Sequence, residues 1–518
     1  AAVQIQSRDL FALQDYIDAQ SGGPGKGWFR VVTDPFQARR VINEGKLAVI
    51  EGIEVSRLFG CGEVNGVPQC DQAQVDAGLK QVLRLGVRTF FPIHEFNNAF
   101  GGTKMIAGDQ GALINAGNRL ETGSFFTLQP CPAQDQDAEQ VTVSGTDTVA
   151  QLLNGPVSTL AGGNPLPVYG SGPQCNVQGL TSLGAYLIHR MIQQHVIIQL
   201  DHMDSKTATA ALSIAQAAHY SGVVSAHCCS SPQLFKRVYS TGGFVTPPVE
   251  PSTAFLGTWK SDMAVSDPKY HLGFGWGSDE NGLGDQPGPQ GAQISYPFKS
   301  YAGGVTFTRE RWGQRTFDFN TDGLANYGLY ADWLRQLQLV GGAPLMSSMF
   351  QGAEAYLEMW ERADGIPSSS CRRASERFTN TGLGKQLRLG DGAVTALYRA
   401  GQPLSRPGHT YRYCVGRAAT NAAVTAVFNA RGRIAMIAST APGDRAHGIG
   451  AGSPAAALGR SARPLLRGVW VESARGSRAA YVYGLRGGRV SYVAVIQAAQ
   501  LRDPGQLRSD LNAAGLAY

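Results

Sequence analysis

The sequence predicts an α/β chain: a (β/α)8 TIM-like barrel followed by a smaller antiparallel β domain. Three observations point there. Short apolar runs such as LAVIEGIE, VRTFFPIH and HVIIQLDHMD alternate with segments of helical periodicity, and strand-then-helix repetition builds a mainly parallel sheet with helices outside. The runs are apolar almost without interruption, which fits burial on both faces. Five of them end on a residue able to do chemistry: Glu54, His94, His202, His227 and Asp279. An open doubly wound sheet fits the alternation too. The closed barrel is favoured because it gathers such strand ends on one face.

The elements follow in order. Residues 1–21 carry Leu10, Leu13 and Ile17 at helical spacing. FRVVTDP is a strand, Pro35 to Glu44 a helix, and LAVIEGIE a buried strand ending in Glu54. The loop CGEVNGVPQC leads into the helix QVDAGLKQVLRLG; VRTFFPIH then ends in His94, and NNAFGG stops it. From about 130 to 179 the chain is rich in Gly, Pro, Ser, Gln and Asp, with one short helix at DTVAQLLN. An insertion of this size is a lid or an excursion. After the helix LTSLGAYLIHRMIQQ come HVIIQLDHMD and YSGVVSAHCC, two strands joined by a helix and ending at His202 and His227. Parallel strands so joined place their C-terminal ends on the same side, so the two histidines are expected close together. HLGFGWGSD is expected as a strand ending in Asp279, with GLANYGLYADWLRQLQLVGG and GAEAYLEMWERA as helices. Beyond, AVTALYRAG, TYRYCVGR, AAVTAVFNARGRIAMIAST, RGVWVES and RAAYVYGLRGGRVSYVAVI alternate and carry Gly-containing turns, the pattern of antiparallel strands. QLRSDLNAAGLA closes the chain as a short helix.

A chain of 518 residues exceeds one core, so two domains are expected, 1–365 and 372–518. Charge supports that division. From Ile366 onward there are 21 Lys and Arg against 6 Asp and Glu, a balance of +15, which leaves −9 of the total +6 for the rest. A basic domain suits contact with an anionic surface, but a solvated Arg-rich face is the favoured reading. Cys61 and Cys70, Cys131 and Cys175, and Cys371 and Cys414 bracket loops. Three such pairs point to disulfides and an oxidising compartment, so the chain is expected to be secreted, extracellular or periplasmic. Cys228 and Cys229 fit a vicinal disulfide, free thiols or packing residues. No window is apolar for the roughly 18 residues of a membrane span. The start, AAVQIQSRDL, has neither initiator Met nor signal-peptide core and is read as the N-terminus of a processed chain.

The strand ends suit a metal. Zinc takes His nitrogen and carboxylate oxygen, and a catalytic site keeps one position open for water. Glu54, His202 and His227 are the candidate ligands, for zinc or another divalent metal, one or two ions. The metal would lower the pKa of bound water and generate hydroxide near neutral pH. Asp279 would accept and return the proton, His94 would polarise the substrate carbonyl, and Arg237 would hold a substrate carboxylate. Each residue alone has a plainer role, such as a turn at Asp279 or a buried acid at Glu54; the five together are harder to set aside.

In order and local wording these segments resemble the membrane (renal) dipeptidase family of the metal-dependent amidohydrolase superfamily. GKLAVIEGIE is similar to the segment whose glutamate bridges two metals, and LGVRTFFPIHEFNN to the one with the substrate-binding histidine. HVIIQLDHMD and VVSAHC are similar to the segments that supply the second metal's histidines, and GWGSDENG to the GSDxDG strand with the acid–base aspartate. The resemblance, over roughly Gly27 to Asp285, implies ligands at Glu54, His202 and His227, a substrate histidine at His94 and a proton shuttle at Asp279. It places Arg237 about where the family has an arginine for the substrate carboxylate.

The chain departs from the family in the dipeptide before His202, in the Cys228–Cys229 pair and, with most bearing on the site, on the first strand. The His-x-Asp pair of the family's first strand is absent upstream of Glu54. Either a separate N-terminal chain from a cleaved precursor supplies that strand, or the site holds one metal or none; the former is favoured, since a parallel barrel lacking a strand has open edges. The expected function is a secreted metal-dependent hydrolase that cleaves an amide or peptide bond of a small-molecule or peptide substrate. The alternatives are an esterase or lactonase on the same barrel, and a non-catalytic surface-binding protein on a degenerate one.

Overall fold

The computed structural model describes residues 2–133, 148–155, 158–161, 163, 165–170, 172–227, 232–279, 286–291, 293–372, 375–416, 422–473 and 478–516. Cys228 and Cys229 lie outside the described residues. The chain divides into two compact units, Ala1–Asp364 and Gly365–Tyr518.

The first unit is built on a five-stranded sheet of β1 (Gly52–Ile53), β2 (Thr89–Phe90), β3 (Ile197–Gln199), β4 (Val223–Ser225) and β5 (Phe244–Val245). Every neighbouring pair is parallel, with Ile53 opposite Phe90, Phe90 opposite Ile198, Ile198 opposite Val223, and Val224 opposite Phe244. Strand order in the sheet is chain order. It never reverses, so the sheet lacks the switch point of a doubly wound fold. A parallel bridge from Pro248 to Gly277 adds one position beyond β5. Among the described residues the sheet does not close into an eight-stranded ring, and the outer edge of β1 pairs with no strand.

The residues account for these elements. The helix Gln72–Leu85 begins at a capping box of Asp71 and Gln74 and stops at Gly86, whose φ of 111° suits glycine. Its Val75, Leu79 and Val82 are buried one or two turns apart. The helix Ser182–Gln193 is capped by Thr181, and Ser205–Ala217 by Asp204, which accepts from Thr207 N at 2.9 Å. Leu79, Leu187, Ile188, Met191 and Leu212 from these helices pack on Ile53, Phe90, Ile198 and Val224 from the sheet. Truncating a fully buried member such as Leu187 to alanine costs about 2–5 kcal/mol.

Part of the long insertion packs as a small cluster of its own. Ala150, Leu153 and Leu166 bury against Ala112, Ala116 and Phe126, beside the helix Gly108–Thr122. The Cys131–Cys175 disulfide ties its ends next to the antiparallel pair Leu128–Pro130 and Gln174–Asn176. Cys61–Cys70 and Cys371–Cys414 are also disulfides. Among the described residues no helix is long and apolar enough to cross a membrane.

The second unit centres on a seven-stranded antiparallel sheet that includes Thr410–Cys414, Ala423–Phe428, Ile434–Ser439, Ala479–Arg486 and Arg489–Gln497. Both faces are covered. Ala426, Ile437, Tyr483 and Val493 point into one apolar layer, and Val427, Met436, Val482 and Ala494 into the other, with Leu507 and Leu511 of the helix Pro504–Ala513. The hairpin at Arg486 and Arg489 turns on Gly487 and Gly488, with φ of 58° and 73°, the signs a two-residue type I′ turn requires.

Two sequence expectations are corrected. AVTALYRAG is not a strand: Ala393–Ala400 is a helix with Ala396 and Leu397 buried, and Gly401 ends it at a φ of 77°. HLGFGWGSD forms only the bridge at Gly277, where the segment runs close to its neighbour: a Cβ on Gly277 would lie 2.1 Å from the Ala226 carbonyl.

Candidate metal centre

The C-terminal ends of the sheet strands deliver the site. Glu54 directly follows β1, His94 lies four residues past β2, His202 three past β3, and His227 two past β4. Asp279 comes two residues after the Gly277 bridge. His202 and Asp279 have left-handed backbone, with φ of 65° and 47°. Such conformations outside glycine concentrate at functional sites. Thr103 holds the first of these turns in place. Its Oγ1 lies 2.9 Å from the His202 carbonyl and also against the His94 carbonyl, and Lys104 N donates to the His202 carbonyl at 2.8 Å.

Three atoms converge. Glu54 Oε1 is 2.9 Å from His202 Nε2 and 3.3 Å from His227 Nε2, and the two nitrogens are 3.1 Å apart. Buried Glu54 Oε1 nevertheless accepts no hydrogen bond of acceptable geometry from the described residues. Lone pairs turned on one another at these distances repel unless a proton or a cation lies among them. Zinc bonds of about 2.0–2.1 Å at tetrahedral angles separate ligand atoms by roughly 3.3 Å. The donor set and spacing therefore fit a divalent cation of that kind. His94 Nε2 stands 3.7 Å from Glu54 Oε1, and an Asp279 oxygen lies within 4.8 Å of ligand atoms of Glu54 and His227. The Phe91 ring walls one side, 5.4 Å from the His227 ring and 6.0 Å from that of His202.

The local field is set by burial and by these charges. Burial works to raise the Glu54 carboxyl, but His202 and His227 outweigh it and hold it well below the usual carboxylate range. Burial opposes charge on His227, yet Glu54, Asp201 and Asp279 push its pKa up to about 9. Burial, then repulsion from His202, brings His94 down to about 4. Burial raises Glu95.

Five of the six residues singled out in the sequence for ligation, catalysis or substrate binding thus meet. The sixth does not. Arg237 sits in the last turn of the helix Pro232–Ser240, and its Nη2 donates to Ser213 Oγ at 3.0 Å and Gln216 Oε1 at 2.7 Å on the adjacent helix. With its guanidinium engaged there, the expected carboxylate contact is withdrawn.

Two acids were missed. Asp201, fully buried, accepts from Ser225 Oγ, Ala226 N and, at 3.1 Å, His227 N, and stands 3.7 Å from His227 Nδ1. Glu95 Oε1 is 3.5 Å from both His94 Nε2 and His202 Nδ1. Each is the immediate chain neighbour of a histidine already singled out, and that adjacency was the available signal.

No family model matches the chain, and no curated protein matches it. Among solved structures it is similar to an amidohydrolase from Pseudomonas aeruginosa, with a TM-score of 0.36 and 13% identity over 64% of this chain and 78% of that one. It is also similar to a metallo peptidase from Rhodobacter sphaeroides liganded with a phosphinate mimic of the dipeptide L-Ala-D-Ala, at 0.34 and 13% over 64% and 68%. A third is a probable dipeptidase from Pseudomonas aeruginosa, at 0.31 and 12% over 64% and 74%. At TM-scores below 0.5 these likenesses carry no weight for function, and the chemistry rests on this chain's own residues.

Proposed function

We propose that this chain is a metal-dependent hydrolase that cleaves an amide or peptide bond of a small substrate. The observation that carries the proposal is the triangle of Glu54 Oε1, His202 Nε2 and His227 Nε2, with sides of 2.9, 3.3 and 3.1 Å. Those residues would hold the cation, and two imidazoles with one carboxylate suit zinc better than magnesium or calcium. A divalent cation there supplies Lewis acidity toward a carbonyl or a water.

The chain's own groups do the rest. His94 offers a ring N–H to the substrate carbonyl oxygen and steadies the negative charge that develops there. Asp279 takes a proton from the attacking water and returns it to the leaving amine, its side chain placed beside Glu54 and His227. Asp201 keeps the His227 ring oriented through its contact at Nδ1. Phe91 excludes water from one side of the cluster. Three disulfides suit an oxidising, extracytoplasmic location.

A further element of this reading is a separate chain whose extended segment pairs with the edge of β1 that no strand among the described residues covers, carrying the sheet toward a closed barrel. A cavity of about 590 Å³ lies beside that edge, lined in part by Ile53, Val55, Leu58, Val82 and Leu85.

The reading is tested by assaying zinc-loaded protein against a panel of dipeptides and matched esters, with His202→Ala as control. Amide cleavage abolished in the variant supports it. Cleavage that survives His202→Ala, or none by loaded wild-type protein, refutes it.

A further inference from the structure

The second unit holds a cavity of about 530 Å³ that no step of the proposed chemistry uses. It lies at one end of the seven-stranded sheet. There Ala423–Phe428 turns into Ile434–Ser439, and Arg489–Gln497 runs on into the helix Pro504–Ala513. Phe428, Asn429, Gln497, Gln500, Gln506 and Asp510 line it, together with the exposed His409. Small-molecule pockets are mostly apolar. A wall of four amides, a carboxylate and an imidazole selects instead for a ligand rich in hydrogen-bonding groups.

The hydrogen bonds around the cavity decide what each amide has to offer. Asp510 is buried and accepts from Gln500 Nε2 at 2.5 Å and from Gln506 Nε2 at 2.8 Å. With its N–H groups turned to Asp510, Gln500 is left with Oε1, which is buried and accepts nothing from the described residues. A buried acceptor without a donor is costly and calls for a partner. Asn429 is the reverse case. Its Oδ1 accepts from Arg431 N at 3.0 Å and from Arg433 N at 3.1 Å, so it offers the Nδ2 hydrogens. Charge narrows the occupant further. The Asp510 carboxylate repels an anion, and Arg431 and Arg433, in the turn that Asn429 begins, repel a cation. Water is the default occupant of such a place. A hydroxyl group replaces water without loss, because it donates and accepts alike.

We propose that this cavity is a binding site for a neutral sugar, whose hydroxyls donate to Gln500 Oε1 and accept from Asn429 Nδ2 while its C–H face packs on Phe428 and Ala435. The site is built from the second unit alone and stands whether or not the first unit is a hydrolase.

The test titrates full-length protein with methyl glycosides of glucose, galactose and mannose, with N-acetylglucosamine, and with an array of neutral oligosaccharides, and reads binding by saturation-transfer NMR. Heparin and spermidine are the charged controls. At least one neutral sugar is expected to bind saturably, and His202→Ala should bind it as tightly as wild-type protein does. Asn429→Asp keeps the oxygen that holds the turn and removes the donor, so it should weaken binding about 2–10-fold, the worth of one neutral hydrogen bond. Gln500→Leu removes the acceptor and should weaken binding at least as much; if that variant does not fold, Asn429→Asp decides. Absence of saturable binding by any neutral sugar means a water-filled cavity only and overturns the proposal. So does unchanged affinity in Asn429→Asp, binding confined to heparin or spermidine, or binding lost in His202→Ala, which would put the sugar at the metal centre.

Discussion

His202 Nε2 and His227 Nε2 lie 3.1 Å apart at the ends of neighbouring parallel strands, and both face one oxygen of Glu54. Two neutral imidazoles cannot both aim a lone pair at that point without a positive charge between them. A shared proton provides one in the metal-free protein, and a divalent cation provides a better one.

Asp201 is the anchor of the His227 turn. Replacing it with alanine strands the Ser225 hydroxyl and the amides of Ala226 and His227 in a buried place. Asp201→Ala is expected to lose ~3 kcal/mol or more of folding stability and to bind zinc more weakly. Urea unfolding with and without zinc checks both. A loss below about 1 kcal/mol would mean that those groups find other partners.

Gly277 allows the Asp279 segment to touch the His227 turn. A Cβ there would lie 2.1 Å from the Ala226 carbonyl and 2.5 Å from His227 Cβ. Gly277→Ala must push the two segments apart, at a cost of ~1–3 kcal/mol, and should reduce kcat more than it raises KM. A variant with wild-type kcat would separate Asp279 from the chemistry.

In the metal-free protein His94 should contribute a loss of stability on mild acidification, opposite in sign to the contribution of His227, whose pKa is raised. Burial and the nearby His202 keep His94 neutral down to about 4, whereas in the unfolded chain a histidine takes up its proton near 6.5. At this residue the unfolded state therefore binds more protons below about 6.5, and the His94 contribution to stability falls as pH drops toward 4. Chelator-treated His94→Asn protein should show a shallower fall between pH 7 and pH 5. Equal slopes for the two proteins would rule out His94 as a source.

The edge of β1 that no strand among the described residues pairs gives a prediction about composition. Intact-mass analysis of native material is expected to find either a polypeptide that extends beyond residues 1–518 or a second, associated one. Fully active protein with the mass of residues 1–518 alone would dismiss the added strand.

Much of the centre was legible because parallel strand ends are local features. Glu54, His94, His202 and His227 each follow an apolar run, and chain order alone brings such ends to one side. The strand-like reading of Ala393–Ala400 failed because Val394 and Thr395 favour strands, while the helix is decided by burying Ala396 and Leu397 together. Arg237 misled for a related reason. Its distance from His227 along the chain suggested the site, but a helix carries it to Gln216 instead. Asp201 and Glu95 were passed over because adjacent residues in a strand point to opposite faces. Both lie past the last paired residue of their strands, where that alternation has ended. Their partners, His227 for Asp201 and His202 for Glu95, belong to other strands and become visible only in three dimensions.

The central claim is that Glu54, His202 and His227 hold a cation, and metal content tests it most directly. Protein purified without chelator should contain at least one equivalent of zinc or a similar divalent ion, and Glu54→Gln should weaken binding by more than the ~100-fold upper range of outer-sphere changes. Under one-tenth equivalent in wild-type protein, with no uptake from zinc-containing buffer, would contradict it.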